Sequence, residues 1–146
     1  MHSDSAVMAH LGGVRNAEQT AAYLARNLRH WADYGFGLWI LREAGGGDLI
    51  GRAVLRHIQV EGIDEVEVGY GFYPAYWGRG LATEVTTTCL TLGRHDLRLA
   101  SIVALTSPDN RASQHVLRKA GLVYERDLVH DGFPSSLFRT RDGDER

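Results

Sequence analysis

The stretch Tyr73-Pro74-Ala75-Tyr76-Trp77-Gly78-Arg79-Gly80-Leu81-Ala82-Thr83 has the make-up of an anion site. A strand ends, a tight loop with two glycines follows, and a helix starts at once. Unpaired backbone N–H groups at a helix start, together with the positive end of its dipole, attract phosphate. Glycine removes the Cβ that would hold the backbone away from such a group. Arg79 can add a charge-assisted contact. A Walker loop needs Gly-Lys-Ser/Thr at the helix start, where this chain has Gly80-Leu81-Ala82. A dinucleotide fingerprint would follow the first strand of a parallel sheet and place a third glycine at position 83, which is Thr. Taken alone, the loop fits a helix that needs glycine at its first turn equally well.

The other residues able to do chemistry lie on either side. Upstream, Glu65 and Glu67 alternate with Val66, Val68, Tyr70 and Phe72, so both carboxylates share one side of a strand. His57, His115 and His130 form no metal-ligand spacing with cysteines or carboxylates, and no metal is expected. The single cysteine, Cys89, falls on the apolar stripe of a helix, which predicts a packed and unreactive thiol. Trp31, Trp39 and Trp77 read as core or pocket wall.

These residues must be placed by elements in the order helix, three strands, helix, strand, helix, two strands. Asn16 is a good N-cap with Gln19 three residues on, and Ala21, Leu24, Leu28 and Trp31 recur at helical spacing until Gly35. Phe36 to Arg42 and Leu49 to Gln59 flank the glycines 45–47 and predict an antiparallel pair. Glu65 to Tyr73 is the third strand, ended by Pro74. Leu81, Val85, Cys89 and Leu92 make the next helical stripe, despite threonines at 86–88. Ser101 to Thr106 is a short buried strand. Ser107-Pro108-Asp109-Asn110 caps a helix carrying Ala112, Val116, Leu117 and Ala120, closed by Gly121. Val123 to Val129 and Ser135 to Thr140 form a hairpin through Asp131-Gly132. The class is mixed α/β with a largely antiparallel sheet.

The chain of 146 residues suits one domain, 1–146, with a core over 16–140. Apolar residues at 44% and charged residues at 23% place it among globular proteins. A formal charge of −2 argues against a nucleic-acid partner, which needs a basic surface. No apolar run approaches the roughly 20 residues that span a bilayer. With one cysteine and no signal-like N-terminus, a cytoplasmic location is expected.

Two blocks carry a family resemblance. Trp77-Gly78-Arg79-Gly80-Leu81-Ala82 is similar to the Gln/Arg-x-x-Gly-x-Gly/Ala signature of the GNAT superfamily of acyl-CoA-dependent N-acyltransferases, except in its first place. Asn110-Arg111-Ala112-Ser113-Gln114-His115-Val116-Leu117-Arg118-Lys119-Ala120-Gly121-Leu122 resembles that family's Asn-x-x-Ser-x-x-Val-Leu-x-Lys-x-Gly-Phe. Tryptophan inside Tyr-Trp-Gly-Lys/Arg-Gly looks like the branch that contains ribosomal-protein N-terminal acetyltransferases. The resemblance covers roughly Asn16 to Thr140. It implies acetyl-CoA (coenzyme A) as cofactor, with Gly78, Arg79, Gly80, Leu81, Ala82 and Thr83 around the pyrophosphate and Trp77 beside them. It also implies that the main chain at Phe72 and Tyr73 runs along the pantetheine, with Asn110 bonded to the same arm.

Acetyl transfer to an amine needs a base for the amine and an acid for the thiolate. Glu67 is the candidate base, because the family often has Glu before the Ile/Val-Gly-Tyr seen here as Val68-Gly69-Tyr70. The same alternation fits a solvated polar face. Many members use a tyrosine acid where this chain has Leu117, so Ser113 is the candidate substitute, with Tyr124 behind it. Ser113 also fits a first-turn serine that satisfies backbone groups. The family usually opens with a further strand and helix, and Ser5 to Gly13 resembles the loop after them, so the chain is expected to begin late. That leaves the strand from Phe36 as an open edge, and a homodimer is expected. The acceptor reads as a primary amine, on a small molecule or a protein N-terminus. A non-catalytic acyl-CoA-binding domain, or a transferase using another acyl-CoA such as succinyl-CoA, is the alternative.

Overall fold

The structure, a computed structural model, describes residues 17–44 and 47–141. The expected cap at Asn16 and two of the three turn glycines lie outside them. Helix α1 (Ala17–Tyr34) leads into strands β1 (Leu38–Arg42), β2 (Leu49–Val60) and β3 (Ile63–Phe72). After them come α2 (Leu81–Thr91), β4 (Val103–Thr106), α3 (Arg111–Lys119), β5 (Leu122–His130) and β6 (Phe133–Thr140). The expected order of elements holds throughout.

Local chemistry explains the boundaries. Gly35 stops α1 at φ 74°, with its N–H on the Trp31 carbonyl, a left-handed C-cap. β2 runs one residue further than expected and β3 starts two residues earlier, because Glu61 and Gly62 both adopt positive φ and close the turn between them. Two such residues make a tight hairpin turn whose twist matches the strands. Asp131 and Gly132 repeat this device between β5 and β6. The threonines of α2 bond back to carbonyls four residues earlier, Thr86 to Ala82 at 2.7 Å and Thr88 to Glu84 at 2.8 Å. That tames residues that helices otherwise disfavour.

The six strands lie in the order β1-β2-β3-β4-β6-β5, antiparallel at every junction but one. The exception is β3 against β4, which run parallel and pair only at Glu67 opposite Val103. The mixed, mostly antiparallel sheet is thus the one expected. Ala53, Leu55, Val66 and Val68 on the sheet pack against Cys89 and Leu90 of α2 and Leu117 of α3. Phe138, Leu55 and Ile102 have no exposed surface. Phe138→Ala should therefore cost about 3–5 kcal/mol, since the cavity left between sheet and helices cannot collapse fully. A denaturant titration reads this as a lower midpoint at unchanged slope.

The α1 docking uses a histidine with both nitrogens engaged. His30 Nε2 accepts from the His57 backbone N–H at 2.9 Å, so Nδ1 is the nitrogen that carries the proton toward the Phe36 carbonyl at 2.7 Å. His30→Ala removes both bonds and strands a carbonyl and an amide, which should lower stability by about 1–3 kcal/mol. His30→Asn, able to keep one bond, should recover part of that loss in the same melt.

Candidate active site

The single pairing between β3 and β4 has a direct consequence. Beyond Glu67 and Val103 the two strands part, and a cavity of about 860 Å³ fills the gap. Its walls include Val68 to Phe72 from one strand and Ala104 to Thr106 from the other. On one side it meets Gly78, Gly80, Leu81, Ala82 and Thr83, and also Asn110, Ser113 and Leu117 of the α3 region. On the other it meets Arg52, Val54, Arg56 and Glu67. One cavity runs through the sheet and joins the glycine loop to the carboxylate.

At the loop, Gly78 and Gly80 take φ 76° and 75°, and a Cβ at either would meet no protein atom within 4 Å. Gly80 is the N-cap of α2 and supplies no side-chain cap, and the first backbone bond in from the end is Glu84 N–H to the Gly80 carbonyl. The N–H groups of Leu81, Ala82 and Thr83 therefore point out of the helix end toward open space. This cradle fits a phosphate-bearing group. Trp77 also lines the cavity, its indole N–H donating to the Phe72 carbonyl at 2.9 Å. Two expected contacts lie elsewhere. Tyr73 does not line the cavity, and its backbone N–H is held by the Ile50 carbonyl of β2. Arg79 stacks 5.1 Å over the Tyr76 ring and lines a neighbouring hollow of about 550 Å³.

Glu67 sits where the strands part, only 9% exposed. Its Oε1 accepts from Arg56 Nε at 2.9 Å. Burial works against the Arg56 charge, but Glu67, with smaller contributions from Tyr23 and Asp131, outweighs it and the guanidinium pKa stands above its ordinary value. Glu65 is held by Arg139 at 2.6 Å. The polar side of the β3 alternation is thus a row of shielded ion pairs, not a solvated face.

Asn110 caps α3, its Oδ1 accepting from the Ser113 N–H at 3.1 Å. That fixes Ser113, whose Oγ accepts from the Tyr70 hydroxyl at 3.2 Å. Burial raises the Tyr70 pKa, and the bond to Ser113 only partly opposes this. Tyr124, on β5, is 45% exposed and does not line the cavity. Sequence reasoning missed Tyr70, Arg52 and Arg56. Tyr70 shared the alternation of Val66 and Val68, which reads as core, and only its hydroxyl was a signal. Cys89 is buried, with its thiol pushed up to about 11, and is protonated at neutral pH. Among the described residues no group of three or more His, Cys, Asp or Glu could hold a metal, and no helix is long and apolar enough to cross a membrane.

Known proteins place this architecture. Residues 1–123 match the acetyltransferase (GNAT) domain family. Over 141 residues the chain is 30% identical to the uncharacterised protein YkkB of Bacillus subtilis (strain 168), spanning 97% of this chain and 82% of that protein. It is 30% identical over 66 residues to spermidine N(1)-acetyltransferase of Escherichia coli (strain K12), 45% of this chain and 36% of that one. The acetyltransferase from Agrobacterium tumefaciens str. C58 shares the fold, with a TM-score of 0.80 at 24% identity over 92% of this chain and 78% of that one. With the family match spanning most of its length, the chain belongs to the GNAT acetyltransferases, which draw on acyl-CoA.

Proposed function

We propose that this enzyme transfers the acetyl group of acetyl-CoA to a primary amine, the two substrates meeting inside the cavity between β3 and β4. The observation that carries this is the cavity's continuity. It runs from an unblocked helix start to a buried carboxylate, past strand edges left unpaired. Bound acetyl-CoA supplies the thioester carbonyl that an amine attacks. The N–H groups of Leu81, Ala82 and Thr83 hold its pyrophosphate, and Gly78 and Gly80 let it come close. The strand from Phe72 back to Glu67 covers about 17 Å, the distance over which the parted edges can hold an extended arm. Asn110 orients Ser113 from the helix end. Glu67 Oε2, which has no hydrogen-bond partner among the described residues, takes the proton from the amine. Ser113 hands its hydroxyl proton to the departing sulfur, and Tyr70 hands its own to Ser113. This pair stands in for the tyrosine that the family places at Leu117. The likeness to the ribosomal-protein branch rests on the Tyr76-Trp77-Gly78-Arg79-Gly80 run and the Asn110 block.

Two measurements test the reading. A ligand held at 100 times its Kd stabilises the folded state by about 2.7 kcal/mol. At about 2–4 °C per kcal/mol for a domain of this size, acetyl-CoA should raise the melting temperature by roughly 5–10 °C. Free-thiol release from acetyl-CoA, followed across a panel of amines, should then exceed hydrolysis with at least one amine. A folded protein with no shift at millimolar acetyl-CoA defeats the proposal.

A further inference from the structure

We infer that the acceptor is an amine carrying a carboxylate one or two carbons from its nitrogen, the two charges being read by Glu67 and Arg56. This rests on the acetyl-transfer reading of the same cavity. The β2–β3 register places Arg56 opposite Glu67, Val54 opposite Gly69 and Arg52 opposite Gly71. Residues paired in this way share a face, so both arginines stand on the carboxylate's side of the sheet. All of them line the cavity, on the side away from the glycine loop.

The bond between Arg56 Nε and Glu67 Oε1 uses one edge of each group. Among the described residues it leaves the terminal Nη groups of Arg56 and Oε2 of Glu67 without a hydrogen-bond partner. The Arg56 side chain is 37% exposed, against 11% for Glu67, so the guanidinium meets the cavity and the carboxylate lies deeper. A guanidinium with both terminal nitrogens available is a bidentate seat for a carboxylate. The adjacent carboxylate oxygen is a seat for an ammonium. Side by side, they match a zwitterion of the amino-acid kind. The seat for the nitrogen is also the group that takes its proton, so recognition and deprotonation occur at one place.

Charge balance sharpens the class. Glu67 is the only carboxylate among the described lining residues, and it already faces Arg56. Arg52 adds a second guanidinium on the same wall, stacked 5.3 Å over the buried Tyr23 ring and donating to the Tyr23 hydroxyl. A polyamine would bring several positive charges to a wall whose one carboxylate among the described residues already faces Arg56, and juxtaposed like charges disfavour a partner.

Matched amines decide the question without any variant. Thiol release is measured with phenylalanine against phenethylamine, serine against ethanolamine, and spermidine. The wild-type enzyme should favour the carboxylate-bearing member of a pair by at least about tenfold in kcat/KM and leave spermidine near background. In Arg56→Gln that ratio should shrink to within about threefold, whatever the variant does to both rates in common. Arg56→Lys, which keeps the charge but not the fork, should give a ratio in between. Equal rates within pairs, a preference for plain amines or spermidine, or a ratio unmoved in Arg56→Gln overturns the inference and leaves acetyl transfer to amines standing. Thiol release that no amine stimulates overturns both together.

Discussion

Gly80→Val should abolish the thermal shift produced by acetyl-CoA while the protein still folds. Gly80 holds φ 75°, a region where a β-branched residue is a steric outlier. That strain costs on the order of 1–3 kcal/mol and should appear as a lower melting point without ligand. The effect on binding is separate and larger. An added Cβ at Gly80 projects into space that no protein atom occupies within 4 Å, beside the helix end where the pyrophosphate is proposed to sit. The valine methyls would occupy that seat. Gly62 provides the control, because it holds φ 79° with equally open surroundings in the turn between β2 and β3. Gly62→Val should carry similar strain and keep the full 5–10 °C shift expected of the wild type. If both variants shift alike, the loop is only a helix start and the coenzyme lies elsewhere.

The contrast between these two glycines shows what the sequence reveals unaided. Gly78 and Gly80 sit between a Pro-terminated strand and an apolar helical stripe, so the loop and the helix start can be read locally, whereas a ligand there is suggested only by the two blocks together. The caps and hairpin turns are local as well. Asn110, Gly35, Gly121 and Asp131-Gly132 each satisfy or break nearby backbone groups, and the elements they bound lie within a few residues of expectation. The β2–β3 turn is the instructive failure. Glu61-Gly62 is not a preferred dipeptide for it, yet it sets the register of the longest strand pair. Once Val60 faces Ile63, stepping four residues along each strand puts Arg56 opposite Glu67. The ion pair follows from a turn that composition does not announce.

Other parts of the site depend on contacts that no local pattern holds. Tyr70 meets Ser113 across a separation of 43 residues, and only the packing of α3 over the sheet brings them together. The parting of β3 and β4 after one pair is a property of the whole sheet, since the β4–β6 ladder continues to Thr106 while β3 turns away. Arg79 shows the opposite limit. Its place in the loop suggested a phosphate contact, but exposed arginine stems have many stacking options, and this one covers Tyr76. Alternation along β3 assigned its faces correctly and left the burial of the polar one open. The pattern alone fitted a solvated polar face as well as a functional one, and only the structure shows that Arg56 and Arg139 cover its carboxylates.

Glu67→Gln should lower kcat by about 10²-fold or more near neutral pH while the acetyl-CoA shift stays unchanged. The amide keeps the shape and can still meet Arg56, but it cannot accept the amine's proton. Its effect must therefore depend on how much proton removal the reaction needs. An alkyl amine is mostly protonated at neutral pH, so the base matters most there. As pH rises toward about 10, the neutral amine becomes abundant and the deficit of Glu67→Gln should narrow. Tyr70→Phe is expected to behave in the opposite sense. Because burial raises the Tyr70 pKa, the phenol keeps its proton through neutral pH and beyond the ordinary tyrosine value near 10. Its loss should thus lower turnover by about tenfold or more across the whole neutral to alkaline range, with no narrowing. Ser113→Ala should match Tyr70→Phe in profile, and the double variant should be no worse than the poorer single, since one relay is broken either way. Rates are best followed by thiol release from pH 6.5 to 10, with coenzyme binding checked by the melt at each end. A Glu67→Gln deficit that stays constant with pH would remove the carboxylate from proton transfer. It would leave Glu67 a partner of Arg56 that shapes the acceptor seat. Near-normal turnover in all three variants would mean that holding amine and thioester together suffices, at effective concentrations that can by themselves supply several orders of magnitude in rate.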